Sequence, residues 1–153
     1  MANKYSSFKE FSEAQARNLA EIQLNTVVRE AAIITGGEIK KRIENEGKST
    51  FGQMQSKSPK RLGAYSLRYG KMRQKKGAQT GIIDLNMTEL MWRNWRPIPT
   101  KDGWGVTFVS ATAMNRAMWN EQRFGAIFEM TAKELKIGEA KILRRVRQIL
   151  KRS

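Results

Sequence analysis

The first third of the chain carries a helical pattern, and that pattern limits the possible folds more than any other feature. Ser7-Phe8-Lys9-Glu10 has the capping-box spacing, in which a hydroxyl and a carboxylate satisfy the first free amides of a helix. Phe8, Phe11, Leu19, Ile22, Ile33, Ile39 and Ile43 then recur at near-helical spacing among charged residues. The pattern predicts a helix over about residues 6–46. Gly36-Gly37 falls inside it, and each glycine costs roughly 1 kcal/mol relative to alanine, so the pair is a weak point of that helix and could mark a kink or a break.

Beyond Gly47 the composition changes to Ser, Gly, Gln, Lys and Arg with scattered aromatics, and residues 47–81 read as a long basic interaction loop. Strand-like runs follow at 81–85, 88–95 and 104–110. Pro97, Pro99 and Lys101-Asp102-Gly103 form the turn of a β-hairpin between the last two. Residues 111–123, rich in Ala and Met, suit a short helix. Thr131-Ala132-Lys133-Glu134 repeats the capping-box spacing and opens a C-terminal helix. On that helix Leu135, Ile142, Leu143, Val146, Ile149 and Leu150 form an apolar stripe opposite Lys141, Arg144, Arg145, Arg147 and Lys151. The expected fold class is α+β in one domain. Its parts are a helical segment (1–46), a basic interaction loop (47–81), a β-hairpin core with a short helix (82–130) and a basic C-terminal helix (131–153).

Several functions are excluded by what is missing. The 153 residues contain neither cysteine nor histidine, which removes disulfides, zinc in its usual ligand sets, Cys/His dyads and Ser-His-Asp triads. The longest charge-free stretch, 103–115, spans 13 residues. A membrane helix needs about 20. Met1-Ala2-Asn3-Lys4-Tyr5 has no apolar core of a secretory signal.

Gly47-Lys48-Ser49-Thr50 has the ending of a phosphate-binding P-loop. That motif needs a glycine five places before Gly47, where this chain has Arg42, and a strand before it, where a helix is expected; the segment reads as a helix end with a glycine stop. Glu46-Gly47-Lys48 and Glu38-Ile39-Lys40 have the acid-x-Lys spacing of some metal-dependent nucleases. The nearest later acid is Asp84, so they read as solvated helix charges. The chain is therefore expected not to be an enzyme, and to have no catalytic, cofactor-binding or metal-binding residues.

The net charge is +15, and it is local. Residues 51–76 carry eight basic side chains and no acid, and residues 139–153 carry six basic and one acidic. The remaining segments are close to neutral. Such clusters meet something acidic, either nucleic acid or a neighbouring protein. The candidate contact residues are Lys57, Lys60, Arg61, Tyr65, Arg68, Tyr69, Lys71, Arg73, Lys75 and Lys76 in the loop, and Arg144, Arg145, Arg147, Lys151 and Arg152 in the tail. The tyrosines would anchor in a protein pocket or stack on bases, and an unpartnered loop of this charge is expected to be poorly ordered. Trp92, Trp95, Trp104 and Trp119 surround the hairpin. Core packing accounts for most of them, with one of Trp92 and Trp95 available for an interface. Met114, Met118 and Met130 read as core.

Tyr65-Ser66-Leu67-Arg68-Tyr69, a Lys/Arg-rich spacer, Gly77, Gln79 and Asp84-Leu85-Asn86-Met87-Thr88 together resemble phage tail-completion (virion-morphogenesis, minor tail) proteins. Their pattern is Tyr-Ser-x-x-Tyr, a basic segment, then Asp-Leu-x-x-Thr-Gly-x-Met/Leu-x-x-Ser. Residues 125–134 resemble the family's junction into its C-terminal helix, and the likeness runs in order over about 47–150. Glu89 stands where the family has glycine, and Asn94 where it has serine. The resemblance implies an α+β subunit of a homo-oligomeric ring in the head–tail neck of a virion, made in the host bacterial cytoplasm. Such a ring contacts portal or connector proteins and tail proteins, touches genomic DNA non-specifically if at all, has no membrane partner, and performs no catalysis. The charge alone suggests the alternative, a basic nucleic-acid-binding protein acting in DNA packaging or organisation.

Overall fold

The computed structural model describes residues 8–86 and 89–151, with side chains from residue 13 onward. The Ser7 capping box and Arg152 lie outside the described residues, as does Thr88 of the resemblance. The expected α+β class is observed: a long N-terminal helix, small antiparallel strand pairs and a C-terminal helix.

Helix α1 (Phe8–Glu46) is continuous. At 1.5 Å per residue it is about 58 Å long, more than the roughly 40 Å across which a chain of this size packs into a compact body. Its C-terminal half buries a stripe at four-residue spacing, Val27, Ala31, Thr35, Ile39 and Ile43. Its N-terminal half overhangs. Among side chains 13–26 all but Ala14 are exposed, including Leu19, Ile22 and Leu24.

The helix runs unbroken through the weak point at Gly36-Gly37, and packing explains the glycine at 36. The hairpin of β5 (Trp95–Thr100) and β6 (Gly103–Phe108) lies across α1 at this point. The Trp95 indole donates to the Gly36 carbonyl at 2.9 Å. A methyl group on Gly36 would sit 2.9 Å from Val106 Cγ2, whereas one on Gly37 would meet nothing within 4 Å. Gly36 is thus a clearance for the hairpin.

The hairpin is observed, but its first strand begins later than the sequence suggests. Residues 81–86 and 89–91 form no strand, and Leu85 and Glu89 both have left-handed backbones (φ 54° and 56°) that interrupt an extended run. Pro97 and Pro99, read as turn residues, lie inside β5 opposite Val106 and Trp104, and the turn is Lys101-Asp102. Val109 N–H donates to the Asn94 carbonyl. The alternation of an antiparallel pair then turns Arg96, Ile98 and Thr100 toward β6 and both prolines outward, where a missing N–H costs nothing.

Trp92, in a 3₁₀ turn (Trp92–Asn94), does not oppose Trp95 across a strand. The two rings meet edge-on at 6.2 Å and join Phe108 and Phe128 in the core. Trp119 is the exposed tryptophan, at 64%. It belongs to α3 (Ala111–Phe124), where Met118 is also exposed. Met118 and Met130, which is exposed too, both depart from the core reading, and of the three methionines only Met114 packs against the core.

Helix α4 (Ala132–Leu150) opens with the predicted capping box and runs antiparallel to α1. The two helices pack closely at Gly138, where a methyl would lie 2.7 Å from Thr35 Oγ1.

The neighbouring glycines give a paired test of this docking. Gly37→Ala should raise unfolding free energy by about 0.5–1 kcal/mol, the ordinary helix-propensity gain. Gly36→Ala should lower it by about 1–3 kcal/mol through overpacking. Urea denaturation of both variants checks this; equal effects would mean that the hairpin does not approach α1 at Gly36.

Candidate functional site

The segment read as a basic loop is folded. It holds the short pairs β1 (Lys48–Ser49) with β2 (Gly52–Gln53) and β3 (Arg61–Leu62) with β4 (Tyr65–Ser66), then α2 (Leu67–Lys75). A buried ion pair organises it. Arg73, only 1% exposed, directs one guanidinium nitrogen to both Asp84 carboxylate oxygens at 3.0 Å. Its Nε donates to the Gln79 carbonyl at 2.8 Å. The guanidinium lies 4.5 Å from the Tyr65 ring, and the Tyr65 hydroxyl donates to Asp84 Oδ1 at 3.0 Å. The Gln79 amide and the Asn86 N–H also donate to this carboxylate. Burial, then the Asp84 charge, pushes the Tyr65 hydroxyl well above its ordinary pKa, so it remains a donor.

Two candidate contact residues are therefore reassigned. Arg73 and Tyr65 are core residues, because the cation at 73 is the partner of the only acid between Glu46 and Glu89. Lys57, Lys60, Arg61, Arg68, Lys71, Lys75 and Lys76 are exposed as expected, and Tyr69 is 38% exposed.

A second buried pair closes the other end of the core. Arg42 donates to Glu134 Oε1 at 2.8 Å and to the carbonyls of Lys48, Ile127 and Glu129 at 2.9–3.1 Å. Glu134 Oε2 accepts from the Thr131 N–H, completing the cap of α4. The P-loop lookalike is accounted for by the same geometry: Gly47, at φ 63°, ends α1 with its N–H on the Ile43 carbonyl, and the Lys48 carbonyl faces Arg42. Lys48 itself pairs with Glu46 at 3.0 Å on the surface, which lowers the Glu46 pKa. Among the described residues no three acidic side chains converge to hold a metal ion.

The C-terminal cations divide differently from the expected two-sided helix. Lys141 and Arg145 turn toward Glu30 of α1 at 3.4 and 3.3 Å. Arg144, Arg147 and Lys151 are exposed, and so are Leu135, Leu143 and Leu150 of the apolar stripe.

Over the Tyr65–Arg73 network lies a cleft of about 360 Å³ between α2 and α3. Ile83, Leu85, Met91 and Phe124 contribute apolar lining, and Tyr69, Arg116, Trp119 and Arg123 complete it. Arg123 stacks 5.7 Å from the Trp119 ring. Neither arginine stands out in the sequence, where Trp119 reads as one of four tryptophans around the hairpin. The available signal was their spacing, since 116, 119 and 123 fall on one face of a helix.

No protein-family model, curated protein or solved structure matches this chain. No described helix is long and apolar enough to cross a membrane.

Removing the Asp84 charge tests the buried pair. Asp84→Asn strands the Arg73 guanidinium and should cost about 3–5 kcal/mol in denaturant unfolding. Lys71→Gln, two residues from Arg73 but exposed, should change stability by less than about 0.5 kcal/mol. A cost under about 1 kcal/mol for Asp84→Asn would show that the pair does not hold the segment.

Proposed function

We propose that the chain is a structural protein of a tailed-bacteriophage virion, a ring component of the head–tail neck that joins the portal side of the capsid to the tail. The observation that carries this reading is at Glu89. Phage tail-completion proteins have glycine at the corresponding place in their motif, and Glu89 has φ 56°, the left-handed conformation that glycine adopts without penalty. The other elements of the motif also act as one unit here. Tyr65, at the head of the Tyr-Ser-x-x-Tyr element, is hydrogen-bonded to Asp84, which opens the Asp-Leu element, and Arg73 of the basic spacer closes the triangle. In this reading the motif is a folding element of the subunit and needs no catalytic role.

The mechanism of a neck ring is geometric: identical subunits bury unlike faces against one another until the ring closes. The overhanging half of α1 supplies one such face through Leu19, Ile22 and Leu24. The outer side of α4 supplies another through Leu143 and Leu150, beside Arg144, Arg147 and Lys151. The exposed cations of residues 57–76 are then free to dock on acidic neighbours or to face DNA.

Negative-stain microscopy with light scattering of the purified protein tests the ring. Closed rings are expected from the native chain. Leu19→Glu combined with Ile22→Glu should leave the melting temperature unchanged while rings are lost. A monomer without rings that retains duplex DNA tightly at low salt, and loses it steeply by about 200 mM, would establish the nucleic-acid-binding alternative instead.

The backbone at residue 89 gives a separate test. Glu89→Gly should be neutral or stabilising by up to about 1 kcal/mol, and Glu89→Val destabilising by about 1–2 kcal/mol. The reverse order would remove the left-handed turn and with it the main support for the resemblance.

A further inference from the structure

We propose that the cleft between α2 and α3 is a docking site for a short acidic peptide segment of a partner protein, with Trp119 as the apolar anchor and Arg116 and Arg123 as the carboxylate-binding pair. Three observations lead to it, and none depends on the ring.

The first is shape. The cleft holds about 360 Å³, within the roughly 300–1,000 Å³ of specific small-ligand and side-chain pockets. Its apolar lining rests on a rigid base, because Ile83 is fully buried and Tyr65 is fixed by Asp84 and Arg73. A pocket with such a base does not have to be assembled when the partner arrives.

The second is composition. Trp, Tyr and Arg dominate the energetics of protein interfaces, and here Trp119, Tyr69, Arg116 and Arg123 line one depression. Trp119 is 64% exposed on a helix whose inner face is closed by Ala113 and Ala117. Among the described residues its indole is no part of the buried core and meets the Arg123 guanidinium at 5.7 Å.

The third is charge. Among the described residues neither Arg116 nor Arg123 forms a salt bridge, and Glu89, the one acid lining the cleft, is paired with Arg93 at 3.9 Å. The two arginines lie seven residues apart on α3, two turns on one face, or about 10 Å along the axis. Two carboxylates four residues apart in an extended peptide lie on one face about 13 Å apart, within reach of two splayed arginines. The residue midway between them turns an apolar side chain to the same face, onto Trp119 and Tyr69. Arginine also binds carboxylates in a forked geometry that lysine lacks. The apolar lining argues against duplex DNA, whose phosphates gain nothing from Ile83, Leu85 and Met91.

Fluorescence polarisation on the intact chain tests this with a fluorescein-labelled Ser-Asp-Ser-Phe-Ser-Asp-Ser peptide, whose two acids and phenylalanine share one face when extended, and its amide twin, Ser-Asn-Ser-Phe-Ser-Asn-Ser. The acidic peptide should bind about tenfold or more tighter than the twin, the difference made by charge-assisted hydrogen bonds. Arg116→Gln with Arg123→Gln should remove that difference, and Trp119→Ala should weaken both peptides. Circular dichroism should remain native for all variants, since the three side chains contribute little to the core. Equal binding of the two peptides, no binding up to about 1 mM, or arginine variants that bind like the native chain would each overturn the proposal. So would displacement of the acidic peptide by a comparable concentration of an oligothymidine of about eight nucleotides, which would make the cleft a base-stacking site.

Discussion

The Arg42 guanidinium reaches four acceptors on three separate segments, and the arrangement of α1, the β1 turn and α4 depends on it. A buried cation of this kind is stable only when its donors are matched, and here a carboxylate and three backbone carbonyls match them. Two of the carbonyls, those of Ile127 and Glu129, belong to irregular chain that no regular ladder serves, and the third is that of Lys48 in the short strand β1. Glu134 uses its other oxygen to cap α4. The start of the C-terminal helix and the end of the N-terminal helix are thus fixed by one contact, and the antiparallel course of α4 along α1 follows.

Arg73 and Asp84 repeat this logic on the opposite side of the core, and their pairing bears on how much the sequence discloses. The helices at 8–46, 111–124 and 132–150, the second capping box and the existence of the hairpin were legible, because each rests on local spacing. The folded state of 47–81 was not. Eight cations without an acid read as mutual repulsion, and only a contact eleven residues away, outside the counted window, turns one of them into a core residue. Asp84 offered a faint signal as the first acid after Glu46, but a lone acid does not say which of eight cations it will hold.

Gly36 and the tryptophans show a second limit. A glycine pair inside a helix reads as weakness when only propensity is considered, yet Gly36 is required by Val106 and the Trp95 indole, which arrive from about 60–70 residues away. Likewise, Trp92 and Trp95 read as residues of one strand-like run, with one of them available for an interface. The strand begins only at Trp95, and both rings enter one aromatic cluster. At the cleft, the Arg116–Trp119–Arg123 stripe could be written from the helix pattern alone, but the concavity beneath it comes from α2 and residues 83–91, which no local rule predicts.

The placement of the prolines bears on one exposed edge of the hairpin. A two-stranded sheet leaves free edges, and an unblocked edge invites strand pairing between copies. The outer edge of β5 carries Pro97 and Pro99, both turned outward, so two successive ladder donors are absent there. Strand addition along β5 would therefore leave partner carbonyls unmatched. The helical surfaces have no such block. The overhang of α1, the outer side of α4 and the Trp119 face of α3 each present exposed large apolar side chains. The acids nearest the core are already engaged, Asp84 by Arg73, Glu134 by Arg42 and Glu30 by Lys141 and Arg145. Unmatched cations therefore border two of those surfaces, α3 and α4. A contact made through these helical surfaces would have an apolar centre and would be matched by acidic groups on the other side.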